Sequence, residues 1–327
     1  MRTVRDLSDI FERYLHGLDY SRQPMNLYAP IEYVLSLPGK RMRPVLMMLA
    51  HDVFSPDSSL DTLLPVAAGM EVFHNFTLLH DDLMDKATMR RGNPTVHCKW
   101  NDNTAILSGD EMLVLAYSQL LETCSASKPE ILGLATRCFT EIMEGQQYDM
   151  DFESRDDVTQ EEYIEMIRLK TSVLPATVLQ MGAVIGGAGK ADASLLYGFG
   201  EKIGLAFQLQ DDYLDVYGDP AVFGKNIGGD ILCNKKTWLY ITARNMANSR
   251  QLADFDRWAA YSGPDSKAKI EAVTALYNEL GVGDLSQKLI DSYFDSAMRQ
   301  LDSLLELPDE RKAELVSYAG RLMKRKL

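Results

Sequence analysis

Two copies of one five-residue pattern, Asp81-Asp82-Leu83-Met84-Asp85 and Asp211-Asp212-Tyr213-Leu214-Asp215, constrain this chain more than any other feature. Each sits on an otherwise apolar, helix-like run, Val72 to Met84 for one and Ile203 to Val216 for the other. A helix turns about 100° and rises about 1.5 Å per residue, so residues four apart share a face about 6 Å from one another. Asp81 and Asp85 therefore form one carboxylate pair, and Asp211 and Asp215 a second. Like charges stacked in this way destabilise a helix unless a positive group lies between them. Hard divalent cations, Mg²⁺ above all, are the natural counter-charge, and Mg²⁺ commonly brings a phosphate with it. Two solvated acidic patches would be the simpler account of a single pentad. Two pentads, both in apolar surroundings and both beside basic motifs, argue against it.

The cationic motifs have their own logic. Pro38-Gly39-Lys40-Arg41-Met42-Arg43-Pro44 packs three cations into four positions just ahead of an apolar helix, where they oppose the positive end of the helix dipole. A bound anion removes the conflict, with Lys acting as a point charge and Arg as a two-pronged fork on phosphate oxygens. Arg90-Arg91-Gly92 adds two cations shortly after the first pentad.

Helical signals dominate the rest, with apolar spacings of three and four in most segments. Alternating strand patterns bounded by hairpin turns are absent, and no break has the length or low complexity of a linker. The expectation is one all-α domain over residues 1–327. The run from Leu63 to Leu79 is apolar apart from Glu71, His74 and Asn75, as suits a helix at the centre of a large bundle. A net charge of −13 speaks against nucleic acid or an anionic membrane surface as partner. The N-terminus lacks the apolar core of a signal peptide, and no run approaches eighteen apolar residues. The four widely spaced cysteines read as idle thiols of a reducing compartment, so a cytoplasmic location is expected.

Taken in order, GKRMRP, HDDLMD followed by RRGNPTVH, KTSVLP, FQLQDDYLDVYGD, GKNIGGD and NKKT resemble the trans-isoprenyl diphosphate synthases over residues 38–237. The resemblance implies the isoprenoid synthase fold, a large helical bundle around a deep central cavity, and a homodimer. It also implies head-to-tail condensation of isopentenyl diphosphate onto an allylic diphosphate. Three Mg²⁺ ions would hold the allylic diphosphate as a leaving group, and an apolar pocket would keep water from the carbocation. The proton lost afterwards would go to the released pyrophosphate.

By motif, Asp81, Asp85 and Asp211 are the implied metal ligands, while Asp82, Asp212 and Asp215 stand behind them or reach the metals through water. Arg90 and Lys225 would contact the allylic diphosphate. Lys40, Arg43, His74 and Arg91 would hold isopentenyl diphosphate. Lys170, Thr171 and Gln208 would line the cation, with Lys170 also on the diphosphate. Lys235 occupies the place of the last phosphate-binding lysine, with Lys236 as its neighbour in register. Gln146 and Asp149 match a further polar pair near the metals. A bulky residue about one turn before the first pentad floors the cavity in this family. Here that residue is Phe76, with the small Thr77 beside it, which suggests a fifteen- or twenty-carbon product, twenty favoured. A class I terpene cyclase shares the first pentad but usually replaces the second and has no need of GKRMRP. A silent regulatory subunit tends to lose a pentad or a phosphate-binding cation, and this chain keeps both.

Overall fold

Helix boundaries follow from local capping chemistry. In the computed structural model, which describes residues 2–56, 58–219, 227–304 and 307–323, helix α1 (Val4–His16) opens on a reciprocal cap. The Thr3 hydroxyl accepts from the Asp6 amide, and the Asp6 carboxylate accepts from the Thr3 amide. Thr159 and Glu162 repeat this cap at α8 (Gln160–Ile167). Between them run α2 (Met25–Ser36), α3 (Met42–Phe54), α4 (Leu64–Met84), the short α5 (Val96–Lys99), α6 (Asp102–Glu122) and α7 (Lys128–Glu153). Beyond α8 come α9 (Val173–Ile185), α10 (Lys190–Tyr217), and then shorter helices as far as Met323. The all-α expectation holds. Among the described residues, no helix is long and apolar enough to cross a membrane.

Contacts group the chain into two compact units. The first comprises Met1–Thr136, Thr177–Ser194 and Glu306–Leu315. Its centre is α4, buried on nearly every side from Leu64 to Phe76, as the unbroken apolar run predicts. The second comprises Arg137–Ala176, Leu195–Leu305 and Val316–Leu327. Its cores gather Phe152, Tyr163, Ile167, Leu205, Leu209, Ile241 and Ile290 in one cluster and Val216, Leu239, Phe255, Val273 and Tyr277 in another.

Two local features depart from the sequence expectation. The sequence predicts no hairpin, yet Met89–Arg90 (β1) pairs antiparallel with Asn93–Pro94 (β2). Strands of two residues are too short to show alternation. The turn between them is nevertheless the tight two-residue kind that needs positive φ at both positions, and Arg91 (+52°) and Gly92 (+77°) supply it. The second feature is a π-helical turn, Arg168–Ser172, inserted between α8 and α9. Such turns add a residue to the helical circuit and recur at functional sites. Here glycines press it from two sides. A Cβ on Gly145 of α7 would lie 2.3 Å from the Lys170 nitrogen, and one on Gly204 of α10 would lie 2.6 Å from Ser172 Cα.

Backbone on both sides cannot swing away as a side chain can, so Gly204→Ala should destabilise the protein by about 1–3 kcal/mol. Gly133→Ala, on an exposed part of α7 with nothing within 4 Å of the added methyl, should instead stabilise it by about 0.5–1 kcal/mol. Urea unfolding of the two variants beside the parent checks both signs. Equal stability of the two variants would refute the packing argument.

Candidate active site

In the first unit, the cations of two distant motifs meet around a cavity of about 410 Å³. Lys40 and Arg43 come from the loop and first turn of α3, His74 from α4, and Arg90 and Arg91 from the hairpin. Two arginines in left-handed backbone conformations shape this convergence, Arg41 at φ +42° and Arg91 at +52°. Non-glycine residues adopt that region at a cost that surrounding contacts must offset. For Arg41 the contacts are explicit. Its Nε donates to Glu12 (3.0 Å), its Nη1 to Glu71 (3.2 Å), and its Nη2 to the carbonyls of Leu35 (2.7 Å) and Leu37 (3.2 Å). The middle cation of GKRMRP is thus turned into the protein and neutralised, which fixes the loop that carries Lys40 and Arg43. Gly39 lets the Arg91 guanidinium lie against the same loop, since a Cβ there would stand 2.9 Å from Nη1.

His74 is buried among these charges. Burial, and then Arg43, Arg91, Arg90 and Arg41, hold its pKa well below the ordinary histidine value. It is therefore a neutral imidazole at pH 7, able to donate one hydrogen bond.

Both pentads close a helix. Asp81 and Asp82 occupy the last turn of α4 and Asp85 its C-cap, while Asp211, Asp212 and Asp215 lie in the last two turns of α10. Neither helix has a basic residue in its last turn, so carboxylates crowd the negative end of each dipole. The middle carboxylates are tied to the protein. Asp82 is buried, accepts from Arg90 Nε at 2.7 Å on Oδ2, and keeps Oδ1 buried without a hydrogen-bond partner. Asp212 is 3% exposed and accepts from the Tyr163 hydroxyl and from Gln208 Nε2 (3.0 Å). Burial raises the Asp212 pKa. Asp215 accepts from the Asp230 amide at 3.0 Å, while Asp85 is exposed and Asp81 and Asp211 are partly exposed.

Among the described residues, no three acidic, histidine or cysteine side chains already converge as a metal cage. The carboxylates come in pairs of hard oxygen donors, and the first pentad adds the orphaned Oδ1 of Asp82. That set fits Mg²⁺, which keeps several waters and completes its shell with substrate phosphate rather than with protein alone.

The second unit also assembles the residues expected around the cation. Lys170 Nζ meets Asp149 Oδ2 at 2.5 Å, and Thr171 Oγ1 donates to Gln208 Oε1 at 3.1 Å. Lys170 and Thr171 stand on the π-helical turn, which no sequence period reveals. Lys235 acts on Asp212 and lies 3.9 Å from Asp230, whereas Lys236 pairs with Asp156 (3.2 Å) over the ring of Tyr240. The two neighbouring lysines thus serve different surroundings. Lys225 lies outside the described residues. Phe76 is buried against Phe73 and His80, at ring separations of 5.5 and 4.8 Å, and the Thr77 hydroxyl donates to the His74 carbonyl at 2.8 Å. Sequence reasoning missed the roles of Arg41, Glu71, Asp230 and Tyr163. Only Glu71 left a signal, as a lone charge in an apolar run.

A family model described as polyprenyl synthetase matches residues 24–278. The chain belongs to that family. It is a trans-isoprenyl diphosphate synthase, a prenyltransferase of a Mg²⁺-dependent family. The geranylgeranyl diphosphate synthase of Methanosarcina mazei is 37% identical over 309 residues, spanning 93% of this chain and 91% of its own. A crystal structure of a geranylgeranyl pyrophosphate synthase matches with a TM-score of 0.93 at 40% identity, covering 100% of both chains. The Corynebacterium glutamicum geranylgeranyl pyrophosphate synthase, solved with isoprenyl diphosphate and magnesium, matches with a TM-score of 0.82 at 27% identity, covering 99% of this chain and 98% of its own. These matches show that this synthase has the isoprenoid synthase fold.

The buried neutral His74 has a consequence for the stability of this synthase. The unfolded chain takes up a proton there below about pH 6.5, and the folded chain does not until well below that. Its contribution is therefore complete above pH 6.5 and falls with acidification, by up to about 1.4 kcal/mol per pH unit. Between pH 7 and pH 5 the parent should lose more stability than His74→Gln. Denaturant unfolding at both pH values measures the difference, and parallel losses would show that His74 is protonated in the fold.

Proposed function

We propose that this synthase condenses isopentenyl diphosphate head to tail with an allylic diphosphate and releases a short trans-prenyl diphosphate of fifteen to twenty carbons, twenty favoured. The observation that carries the reading is the meeting of Lys40, Arg43, His74, Arg90 and Arg91 around one cavity. This set suits a diphosphate, with guanidinium forks for paired oxygens, an ammonium point charge and one neutral N–H donor. This reading assigns isopentenyl diphosphate to Lys40, Arg43, His74 and Arg91, and Arg90 to the allylic diphosphate.

Three Mg²⁺ ions, when bound, supply positive charge to the allylic diphosphate as it leaves, with Asp81, Asp85 and Asp211 as ligands and Asp82 and Asp215 in support. Arg90 and Lys225 add charge to the same diphosphate, and Lys170 and Lys235 further cations. Thr171 and Gln208 border the allylic cation with neutral oxygens. Dipoles of this kind stabilise a carbocation without capturing it, as a free carboxylate would. The isopentenyl double bond attacks, and the lost proton goes to pyrophosphate.

Residues 1–327 act as one catalytic domain in the cytoplasm, paired as a homodimer. A stripe on α6 supports the pairing. Leu107, Val114 and Leu121, seven residues apart, are 60%, 57% and 54% exposed, an apolar ridge suited to packing against a second copy.

Incubating the protein and Mg²⁺ with labelled isopentenyl diphosphate and dimethylallyl, geranyl or farnesyl diphosphate should give one fifteen- or twenty-carbon alcohol after dephosphorylation. EDTA should abolish it. Hydrocarbons without isopentenyl incorporation would mean a cyclase, and no turnover of any pair a silent subunit. Phe76→Ala should lengthen the product by at least one five-carbon unit. An unchanged distribution would remove Phe76 from the control of length.

A further inference from the structure

Tyr163 lies outside the sequence motifs, seven residues before Lys170 on α8, and is fully buried. Its ring packs in a cluster with Ile167, Leu205, Leu209 and Ile241, where phenylalanine would fit as well. The hydroxyl is the part the core does not need. Buried hydroxyls require partners, and this one donates to Asp212 Oδ2.

From Asp212 the hydrogen bonds run on in a fixed order. The Gln208 amide presents Nε2 to Asp212 Oδ1, at 3.0 Å, and Asp212 accepts there as it does from Tyr163. That leaves Gln208 Oε1 to accept from the Thr171 hydroxyl, at 3.1 Å. With its only hydrogen committed to Gln208, Thr171 has lone pairs left to offer elsewhere. The chain of four groups thus has one polarity, with Asp212 accepting on one oxygen from Tyr163 and on the other from Gln208. Without the phenol, Asp212 loses the donor opposite Gln208 and is free to turn, carrying the hydrogen-bonded Gln208 amide away from its place beside Thr171.

We propose that Tyr163 is a positioning residue for the prenyl transfer, its hydroxyl fixing Asp212 and through it the orientation of the Gln208 amide and the Thr171 hydroxyl. The inference rests on the reading that Gln208 and Thr171 border the allylic cation. It adds a residue from a core cluster to the control of that border.

Tyr163→Phe deletes one oxygen and keeps the ring. Its melting temperature should stay within about 4 °C of the parent. kcat should fall about tenfold, with KM for isopentenyl diphosphate within twofold, because the diphosphate-binding cations are untouched. In a Gln208→Ala background the same substitution should change kcat less than twofold, since the two act through one path. A crystal structure of Tyr163→Phe without metal or substrate should show the Asp212 carboxylate or the Gln208 amide turned from its parent position. Unchanged kcat in Tyr163→Phe, with Gln208→Ala impaired, would overturn this proposal and leave the reading of Gln208 intact. Full activity in Gln208→Ala would overturn both. A tenfold loss in both backgrounds, unmoved Asp212 and Gln208 side chains, or a variant too unstable to purify would assign the hydroxyl to the fold and overturn the proposal.

Discussion

Carboxylates stacked on the negative ends of two helices are the constraint to which the site's other groups answer. An apolar helix such as α4 is stable through burial, but its last turn carries Asp81 and Asp82, with Asp85 at the cap and no basic residue among them. The end of α10 repeats the problem with Asp211, Asp212 and Asp215. Repulsion between neighbouring carboxylates and an unfavourable dipole act together there. In each case the middle residue is the more deeply buried and is met by the protein. Asp82 is met by a cation, Arg90, and Asp212 by two neutral donors, Tyr163 and Gln208. Buried carboxylates must be satisfied by the protein. The outer residues are more exposed, so the burial pattern separates, within five residues, carboxylates held inside the fold from carboxylates accessible to an ion.

The cationic cavity presents the opposite imbalance. Lys40, Arg43, Arg90 and Arg91 crowd together around a cavity whose lining holds one acid, Glu71, already engaged with Arg41, while Arg90 reaches back to Asp82. Mutual repulsion would open such a cluster if the backbone were free to move. Arg41 prevents this by spending its donors on Glu12, Glu71 and two carbonyls, which holds a left-handed residue at the start of α3. The depressed His74 pKa reports the same field from inside. A pocket lined by this many cations is preorganised for an anion, because the protein has already met the cost of bringing the charges together.

The parts legible in the sequence were those in which chemistry and spacing coincide. The pentads, GKRMRP and the apolar run of α4 can be read because a helix repeats every three to four residues and carboxylates have few reasons to stack. The π-helical turn under Lys170 and Thr171 was not legible, since it is set by Gly145 and Gly204, about 25 and 30 residues away along the chain. The hairpin under Arg90 and Arg91 escaped because two-residue strands carry no alternation, though Arg-Gly at its turn was a usable sign. Arg41, the middle cation of GKRMRP, is turned inward, a matter of backbone conformation that composition does not encode. Tyr163 lies outside every motif, and its ring is core. Only the partner of its hydroxyl, 49 residues on, gives it another meaning.

The two kinds of charge imbalance also separate the two substrates of the proposed reaction. A diphosphate bound by cations alone needs no metal, and the cavity around His74 offers arginine and lysine without a pentad carboxylate in its lining. A diphosphate approaching the pentads meets like charge and binds only when an ion comes with it. The substrate that must keep its diphosphate is therefore suited to the first environment, where no Lewis acid weakens the carbon–oxygen bond. The substrate that must lose its diphosphate is suited to the second, where the metal that permits binding also stabilises departure.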